Sequence, residues 1–293
     1  MTTPRMNSRT TATIDYDTVG RYCRLKTFYG LSIAVPWALW LIAGWVSHRG
    51  NQTLALQWII ALLGLCGLLT PTLVAWRLVS QDPHLRRDIR DRLRSRGITK
   101  TGAMAAVMTM PVALLVAIAI SVALGGSPDQ FSLKTHSAVM IGVIPGWLTI
   151  TLAPLLEELA WHSYGTDALT ARWSLWRSTW MFAIFWALWH IPLSAIQGSY
   201  QAEVAEVGLL ASINFLFSVW PFMILMNWLY YRNGRNVWIA VAFHLAANIG
   251  NEIIAAEPDT KIIQTLLLLP ICGWVLWHDR TLFFTRPEKR EKR

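Results

Sequence analysis

The chain carries little charge for its length and almost no cysteine. Only 15% of its 293 residues are Asp, Glu, Lys or Arg, and 54% are hydrophobic, whereas soluble domains average about 25% charged residues. This balance excludes an ordinary soluble domain. The three cysteines, Cys23, Cys66 and Cys272, are scattered, which excludes a disulfide framework or a cysteine metal site. The first 27 residues lack the apolar core and cleavage site of a signal peptide, so we expect membrane insertion to begin at the first apolar span.

Long apolar runs fill most of the remaining sequence. Several approach or exceed the roughly 20 residues that cross the hydrocarbon core of a bilayer. We therefore predict an all-α protein, a polytopic transmembrane helical bundle of about eight spans within residues 28–278. The predicted spans are residues 28–47, 53–79, 103–124, 137–164, 178–196, 207–231, 237–254 and 262–277.

The basic residues are distributed unevenly between the two sides of these spans. With the N-terminus in the cytoplasm, 23 of the 26 lysines and arginines fall on the cytoplasmic side, and only Arg49, Lys134 and Lys261 fall outside. Cytoplasmic loops of membrane proteins carry such an excess. The pattern predicts a multi-pass protein of the cell membrane with both termini cytoplasmic, and it explains the net charge of +9 without nucleic acid.

Three segments flank or interrupt the predicted spans. Residues 1–27 are polar, and we expect a cytoplasmic arm that is disordered or lies on the surface. Residues 279–293 form a basic cytoplasmic tail. Residues 82–98 have the pattern of a short amphipathic helix, with apolar residues four apart on one face and arginines on the others. We expect this helix to lie on anionic lipid; a partner-binding helix is the alternative.

Ionisable residues interrupt the apolar runs at three places. Glu157, Glu158 and His162 lie in the fourth predicted span, His190 in the fifth and His244 in the seventh. A charge at mid-bilayer costs about 2.5–3.5 kcal/mol on insertion scales, so such residues usually face a wet cavity or a partner. We interpret them as a candidate site; the alternative is that they hold helices together by hydrogen bonds.

Spacing groups these residues further. Neighbouring helical residues point about 100° apart, so only one of the two glutamates can face a given cavity. A carboxylate, an imidazole and two further donors suffice to activate water and stabilise an oxyanion. Three pairs are four residues apart and so share a helix face: Glu158 and His162, Trp186 and His190, and His244 and Asn248.

In order and spacing, these residues resemble the motifs of the CAAX-protease and bacteriocin-processing (CPBP, or Abi) family of intramembrane proteases. The family motifs are Glu-Glu-x-x-x-Arg, an aromatic-x-x-x-His and His-x-x-x-Asn. This chain has Glu-Glu-Leu-Ala-Trp-His at 157–162, Trp-Ala-Leu-Trp-His at 186–190 and His-Leu-Ala-Ala-Asn at 244–248. The resemblance covers a protease-like core at about residues 135–255.

The resemblance implies an intramembrane endopeptidase that hydrolyses a membrane-associated protein or peptide, with membrane lipids as its other partners and no required cofactor. It implies that Glu157 is the base that activates water and that His190 assists it. By the same resemblance, His244 and Asn248 stabilise the oxyanion. The supporting residues that it implies are Glu158, His162 and Trp186.

One position departs from the family pattern. His162 stands where the family usually has Arg, and Ser163 stands where Gly is usual. Arg is permanently charged, whereas His titrates near neutrality. We therefore expect activity to depend on pH between about 5.5 and 7.5.

Two alternatives from other classes remain open. A metal-dependent hydrolase could hold zinc with Glu157, His190 and His244, because a carboxylate and two imidazoles are an acceptable catalytic ligand set. A non-proteolytic immunity or partner-binding protein of the membrane could retain the same cavity without the reaction. The absence of the motif arginine supports the second alternative.

Overall fold

The structure, a computed structural model, describes residues 14–94, 97–134 and 140–286. These residues form a helical bundle, which confirms the predicted fold class. Two-residue strands β1 (Met140–Ile141) and β2 (Ile144–Pro145) form an antiparallel hairpin. The α-helices are α1 (Tyr16–Val19), α2 (Leu25–Ser47), α3 (Leu54–Ser80), α4 (Pro83–Arg92), α5 (Lys100–Ala123), α6 (Gly146–Ala160), α7 (Thr166–Thr170), α8 (Leu175–His190), α9 (Tyr200–Val207), α10 (Leu209–Arg232), α11 (Val237–Ile253), α12 (Pro258–His278) and α13 (Arg280–Phe284).

The helices are those of a multi-pass membrane protein. Within the described residues, α2, α3, α5, α10 and α12 are long and apolar enough to cross a membrane. Helix α8, extended by a 3₁₀ turn to Ala195, adds a sixth span if it is counted with α9, from which it is bent by 86°. The predicted count of about eight is not confirmed, because α6 and α11 have only 15 and 17 residues.

The fourth predicted span begins later than expected. Its predicted start, Ser137, lies outside the described residues, and α6 begins only at Gly146, after the β-hairpin. The turn of this hairpin requires glycine: Gly142 has a φ of +62°, and a Cβ there would lie 2.1 Å from the carbonyl oxygen of Gln57. A helix therefore cannot run through this turn. Beyond Ala160 the chain stays helical, through a π-helical turn at Trp161–Gly165 and then α7.

The prediction of a disordered or surface-lying arm over residues 1–27 is wrong for its second half. Val19 and Tyr22 are completely buried, and the Tyr22 hydroxyl donates a hydrogen bond of 2.5 Å to Asp88. Residues 14–24 therefore pack on the end of the bundle. Residues 1–13, like residues 287–293 of the predicted basic tail, lie outside the described part of the chain.

The predicted amphipathic helix is present as α4, which is shorter than the range 82–98. Asp82 caps its first turn by accepting a hydrogen bond of 2.8 Å from the amide of His84. Its apolar Leu85 is buried, but so is Arg92 in its last turn. The helix is therefore held to the protein as well as to any lipid surface. Residues 95–96, at the end of the predicted range, lie outside the described residues.

Arg92 belongs to a largely buried polar group that we call the basic-end cluster: Tyr22, Asp88, Arg92, Asp167 and Arg235. Arg92 pairs with Asp88 at 3.1 Å and with Asp167 at 2.9 Å. Arg235 pairs with the same two carboxylates. Burial acts to raise the pKa of Asp88, but the two guanidinium groups hold that pKa below its usual value. Each carboxylate in the cluster thus faces two cations.

The basic-end cluster also holds the turn that follows the two glutamates. Arg92 donates hydrogen bonds to the backbone carbonyls of His162 at 2.9 Å and Ser163 at 2.8 Å. The Tyr230 hydroxyl donates to the same His162 carbonyl at 2.7 Å. A π-helical turn disturbs the regular backbone hydrogen bonds of a helix, so these donors fix the segment that positions Glu157 and Glu158.

Candidate active site

Glu157 lies in the last turn of α6 and is 5% exposed. Two indole N–H groups donate to its Oε2 atom, that of Trp161 at 3.2 Å and that of Trp186 at 2.9 Å. Since both donors use Oε2, Oε1 is the oxygen left to meet a water molecule. The predicted supporting residue Trp186 therefore contacts the candidate base directly.

Glu158 points away from Glu157, as the helical rotation between neighbours predicts. It is completely buried. One of its carboxylate oxygens forms a hydrogen bond with Nδ1 of His162. The other forms a hydrogen bond of 2.7 Å with Nδ1 of His244. Glu158 therefore joins the motif helix α6 to α11, and it orients the imidazole of His244 from behind.

The protonation of His162 follows from its neighbours. The Thr179 hydroxyl donates to the carbonyl of Leu175 at 2.8 Å, so it accepts from the Asn227 amide nitrogen at 2.9 Å. The amide oxygen of Asn227 then faces Nε2 of His162 at 3.1 Å, and Nε2 must carry a proton. The Nδ1 atom of His162 forms a second hydrogen bond, with Glu158.

His190 ends α8, and its Nδ1 atom lies 2.7 Å from the backbone carbonyl of Trp186. A carbonyl can only accept, so Nδ1 carries the proton and Nε2 of the neutral ring is an acceptor. This tautomer is the one that can take a proton from water. The ring packs against Trp186, Trp189 and Phe215, which fixes its orientation.

The four candidate catalytic residues line one cavity of about 420 Å³. Glu157 comes from α6, His190 from α8, and His244 and Asn248 from α11. Glu158 and His162 lie behind this lining. The remaining walls are largely apolar, and they include Trp40, Leu68, Phe215, Phe222 and Leu268.

Charged side chains line the cavity again at the end of the bundle where α11 stops and α12 starts. We call Lys134, Glu203, Glu252 and Lys261 the rim. The Lys261 ammonium lies 3.3 Å from the Tyr200 hydroxyl and donates to the backbone carbonyl of Asn251, also at 3.3 Å. The rim is thus built at the opposite end of the spans from the basic-end cluster.

The residues suggested as zinc ligands are not arranged as a metal site. Across the described ranges, no group of three or more His, Cys, Asp or Glu side chains could hold a metal ion. Glu157, His190 and His244 line the same cavity, and the Nδ1 atom of each imidazole has a protein partner, which leaves the two Nε2 atoms as the ring nitrogens available there. We derive no step through a metal.

Comparison with known proteins finds two matches to proteases, and both include the residues of this site. The profile of a family described as Type II CAAX prenyl endopeptidase Rce1-like matches residues 140–250, which contain every candidate site residue. CAAX prenyl protease 2 of Methanococcus maripaludis is 29% identical over 264 residues, which are 89% of this chain and 96% of that protein.

The two matches support the resemblance of this chain to the CPBP family. Both matches are with proteases, so they support a membrane-embedded endopeptidase and do not favour the non-proteolytic alternative. The match to the archaeal relative extends well beyond the motif region, to nearly the full length of both chains. The chain is therefore similar to a protease as a whole.

Sequence analysis missed three residues that contact the motif side chains or their backbone. Asn227 is a single amide within the apolar helix α10, and a polar residue in a span is a signal that could have identified it. Arg92 lies four residues after Asp88, a spacing that predicts an ion pair on one helix face. Trp161 had no such signal, because a tryptophan in an apolar run is ordinary.

Proposed function

We propose that this chain hydrolyses a peptide bond of a membrane-associated protein or peptide with water activated by Glu157 and His190. The observation that supports the proposal is that Glu157, His190, His244 and Asn248 line one cavity from three helices. A largely apolar wall around a few converging polar groups is the usual form of an enzyme site.

The first step is attack by water on the substrate carbonyl carbon. Oε1 of Glu157 accepts one proton of the water while the water oxygen forms its bond to carbon. His190, with its proton on Nδ1, offers Nε2 as an acceptor for the second hydrogen of that water. Trp161 and Trp186 hold the Glu157 carboxylate in place through Oε2.

The negative charge that forms on the carbonyl oxygen requires donors. Asn248 supplies an amide N–H. His244 can donate from Nε2 only as an imidazolium, because its Nδ1 proton is directed at Glu158. The buried Glu158 carboxylate favours that charged ring, which explains why an acid stands behind it. The two donors then act in a site with little water, where such contacts are strongest.

The second step breaks the carbon–nitrogen bond. Glu157, now protonated, passes its proton to the leaving nitrogen as the carbonyl reforms. The products are a new carboxyl group and a new amine, and Glu157 returns to its carboxylate form. The same residue is therefore base and then acid, and no further group is consumed.

The relative from Methanococcus maripaludis is named a CAAX prenyl protease. For this chain we propose the broader class of membrane-associated polypeptides, because the apolar cavity walls suit any apolar segment.

The direct test compares peptide termini by mass spectrometry in membranes and medium of cells that carry wild-type protein or Glu157→Gln at equal abundance. We expect specific new termini in the wild type that disappear in the variant. Glu206→Gln, an exposed glutamate outside the cavity, is the matched control and should keep them. Identical termini in wild type and Glu157→Gln would refute the proposed reaction.

A further inference from the structure

A second cavity, which we call the α2–α3 groove, lies between the first two spans. It has a volume of about 350 Å³ and shares no lining residue with the cavity that contains Glu157. The proposed reaction makes no use of it. Its walls come from α2, α3 and their flanking residues, and they include Arg24, Thr27, Leu31, Leu73, Val74 and Arg77.

The α2–α3 groove is charged at one end and apolar further in. Arg24 immediately precedes α2, and Arg77 lies in the last turn of α3. Leu31 and Leu73, at the apolar part, are 44% and 56% exposed. At 1.5 Å per residue, Leu31 lies roughly 10 Å along α2 from Arg24. Both helices are long enough to cross a membrane, so the arginines lie near the water interface and the leucines lie within the hydrocarbon.

The two arginines have no acidic partner in the described part of the protein. None of the described residues forms an ion pair with Arg24 or Arg77, and no carboxylate lines the groove. Elsewhere at this end of the bundle, carboxylates neutralise guanidinium groups, as Asp279 does for Arg232 at 3.0 Å. The α2–α3 groove therefore presents two positive charges that are available to an anionic ligand.

We propose that the α2–α3 groove binds one anionic phospholipid, with its phosphate between Arg24 and Arg77 and an acyl chain along the apolar residues further in. Arginine donates paired hydrogen bonds to phosphate oxygens, and basic pockets between transmembrane helices bind anionic lipid headgroups. A free phosphate would use only the charged end, so the apolar part of the groove favours a lipid. Binding there needs no catalysis, so the site stands apart from the proposed endopeptidase reaction.

Native mass spectrometry tests the site, because it counts the lipids bound to each molecule of the purified, delipidated full-length protein in detergent. The probes are phosphatidylglycerol and phosphatidylcholine with identical acyl chains, which differ in the net charge of the headgroup. One arginine near an anionic lipid contributes about fivefold in affinity. We therefore expect the double variant Arg24→Gln, Arg77→Gln to bind the first phosphatidylglycerol roughly 30-fold more weakly, with little change for phosphatidylcholine.

Two further double variants control for charge and for folding. Arg177→Gln, Arg280→Gln removes the same net charge from exposed arginines outside the groove, and it should keep the wild-type affinity. Arg24→Lys, Arg77→Lys retains both charges and should still prefer phosphatidylglycerol, which separates a loss of charge from a folding defect.

Four results would overturn the proposal. The wild type could bind both lipids equally, or the two Gln double variants could lose equal affinity, which would indicate a general attraction to anionic lipid. The Lys double variant could lose the preference for phosphatidylglycerol. Glycerol phosphate, which has the charge but no acyl chain, could displace the lipid at equal concentration, which would make the groove a site for free phosphate.

Discussion

Two buried polar groups lie next to each other in this bundle, and they differ in how their charges are paired. In the basic-end cluster, Asp88 and Asp167 each face both Arg92 and Arg235. In the cavity, Glu157 forms no ion pair with any described residue, and its carboxylate accepts hydrogen bonds from two neutral indoles. The first arrangement has no charge left for a ligand, whereas the second has a carboxylate oxygen that water can reach.

The difference separates stability from chemistry. A buried ion pair is costly to break because the remaining charge has no compensation. A carboxylate that is held in place but lacks a counter-ion is available to accept a proton. Glu158 shares features of both groups. It is buried and paired like the carboxylates of the basic-end cluster, but its hydrogen bond to His244 orients a side chain that lines the cavity.

The largest effect should come from breaking the paired cluster. Arg92→Met leaves Asp88 and the completely buried Asp167 with one guanidinium between them, and we expect a loss of about 3–5 kcal/mol in the free energy of unfolding. Thermal unfolding of the purified protein in detergent measures it. Arg94→Met is the control, because the Arg94 side chain is 50% exposed while that of Arg92 is 4% exposed. Equal stability of the two variants would contradict the role given to the cluster.

A smaller effect, on rate and not on stability, is expected in the cavity. Asn248→Ala removes one oxyanion donor and should lower kcat by about 10²–10³-fold with little change in KM. Asn251→Ala, one helical turn further along the same cavity wall, serves as the control and should keep kcat. If Asn248→Ala changed only KM, Asn248 would bind substrate and not the transition state.

The smallest effect is expected from breaking the hydrogen bond between His162 and Asn227, which lies behind the cavity lining. Asn227→Leu leaves Nε2–H of His162 without a buried acceptor, which costs about 1–3 kcal/mol of stability. The neighbouring buried Met226→Leu conserves volume and should cost less. Chemical unfolding of both variants compares them. A stable Asn227→Leu protein would mean that His162 finds another partner.

Much of this arrangement could be predicted from local sequence patterns. Helical spacing placed Glu158 with His162 and separated the directions of the two glutamates, because both depend only on the 3.6-residue turn. Apolar runs located the helices to within a few residues at most ends. The pH dependence expected from His162 stays a prediction.

The remaining features depend on contacts distant in sequence. The burial of Tyr22 and Arg92 follows from Asp167 and Arg235, which lie far along the chain and gave no local signal. The late start of α6 depends on the close approach of Gly142 to α3. Hydropathy alone therefore predicts an arm and a surface helix at Tyr22 and Arg92, and a continuous span before α6. It contains no information about which distant segments of the chain contact one another.

The most direct test of the account is to measure product termini and unfolding on the same purified samples of Glu157→Gln and Glu158→Gln. The substitutions are identical and the positions adjacent. We predict that Glu157→Gln loses the products and keeps the wild-type unfolding temperature, whereas Glu158→Gln unfolds at a lower temperature because it disturbs two imidazole bonds. If Glu157→Gln instead kept the products, or lost stability as Glu158→Gln does, Glu157 would not be the group that activates water.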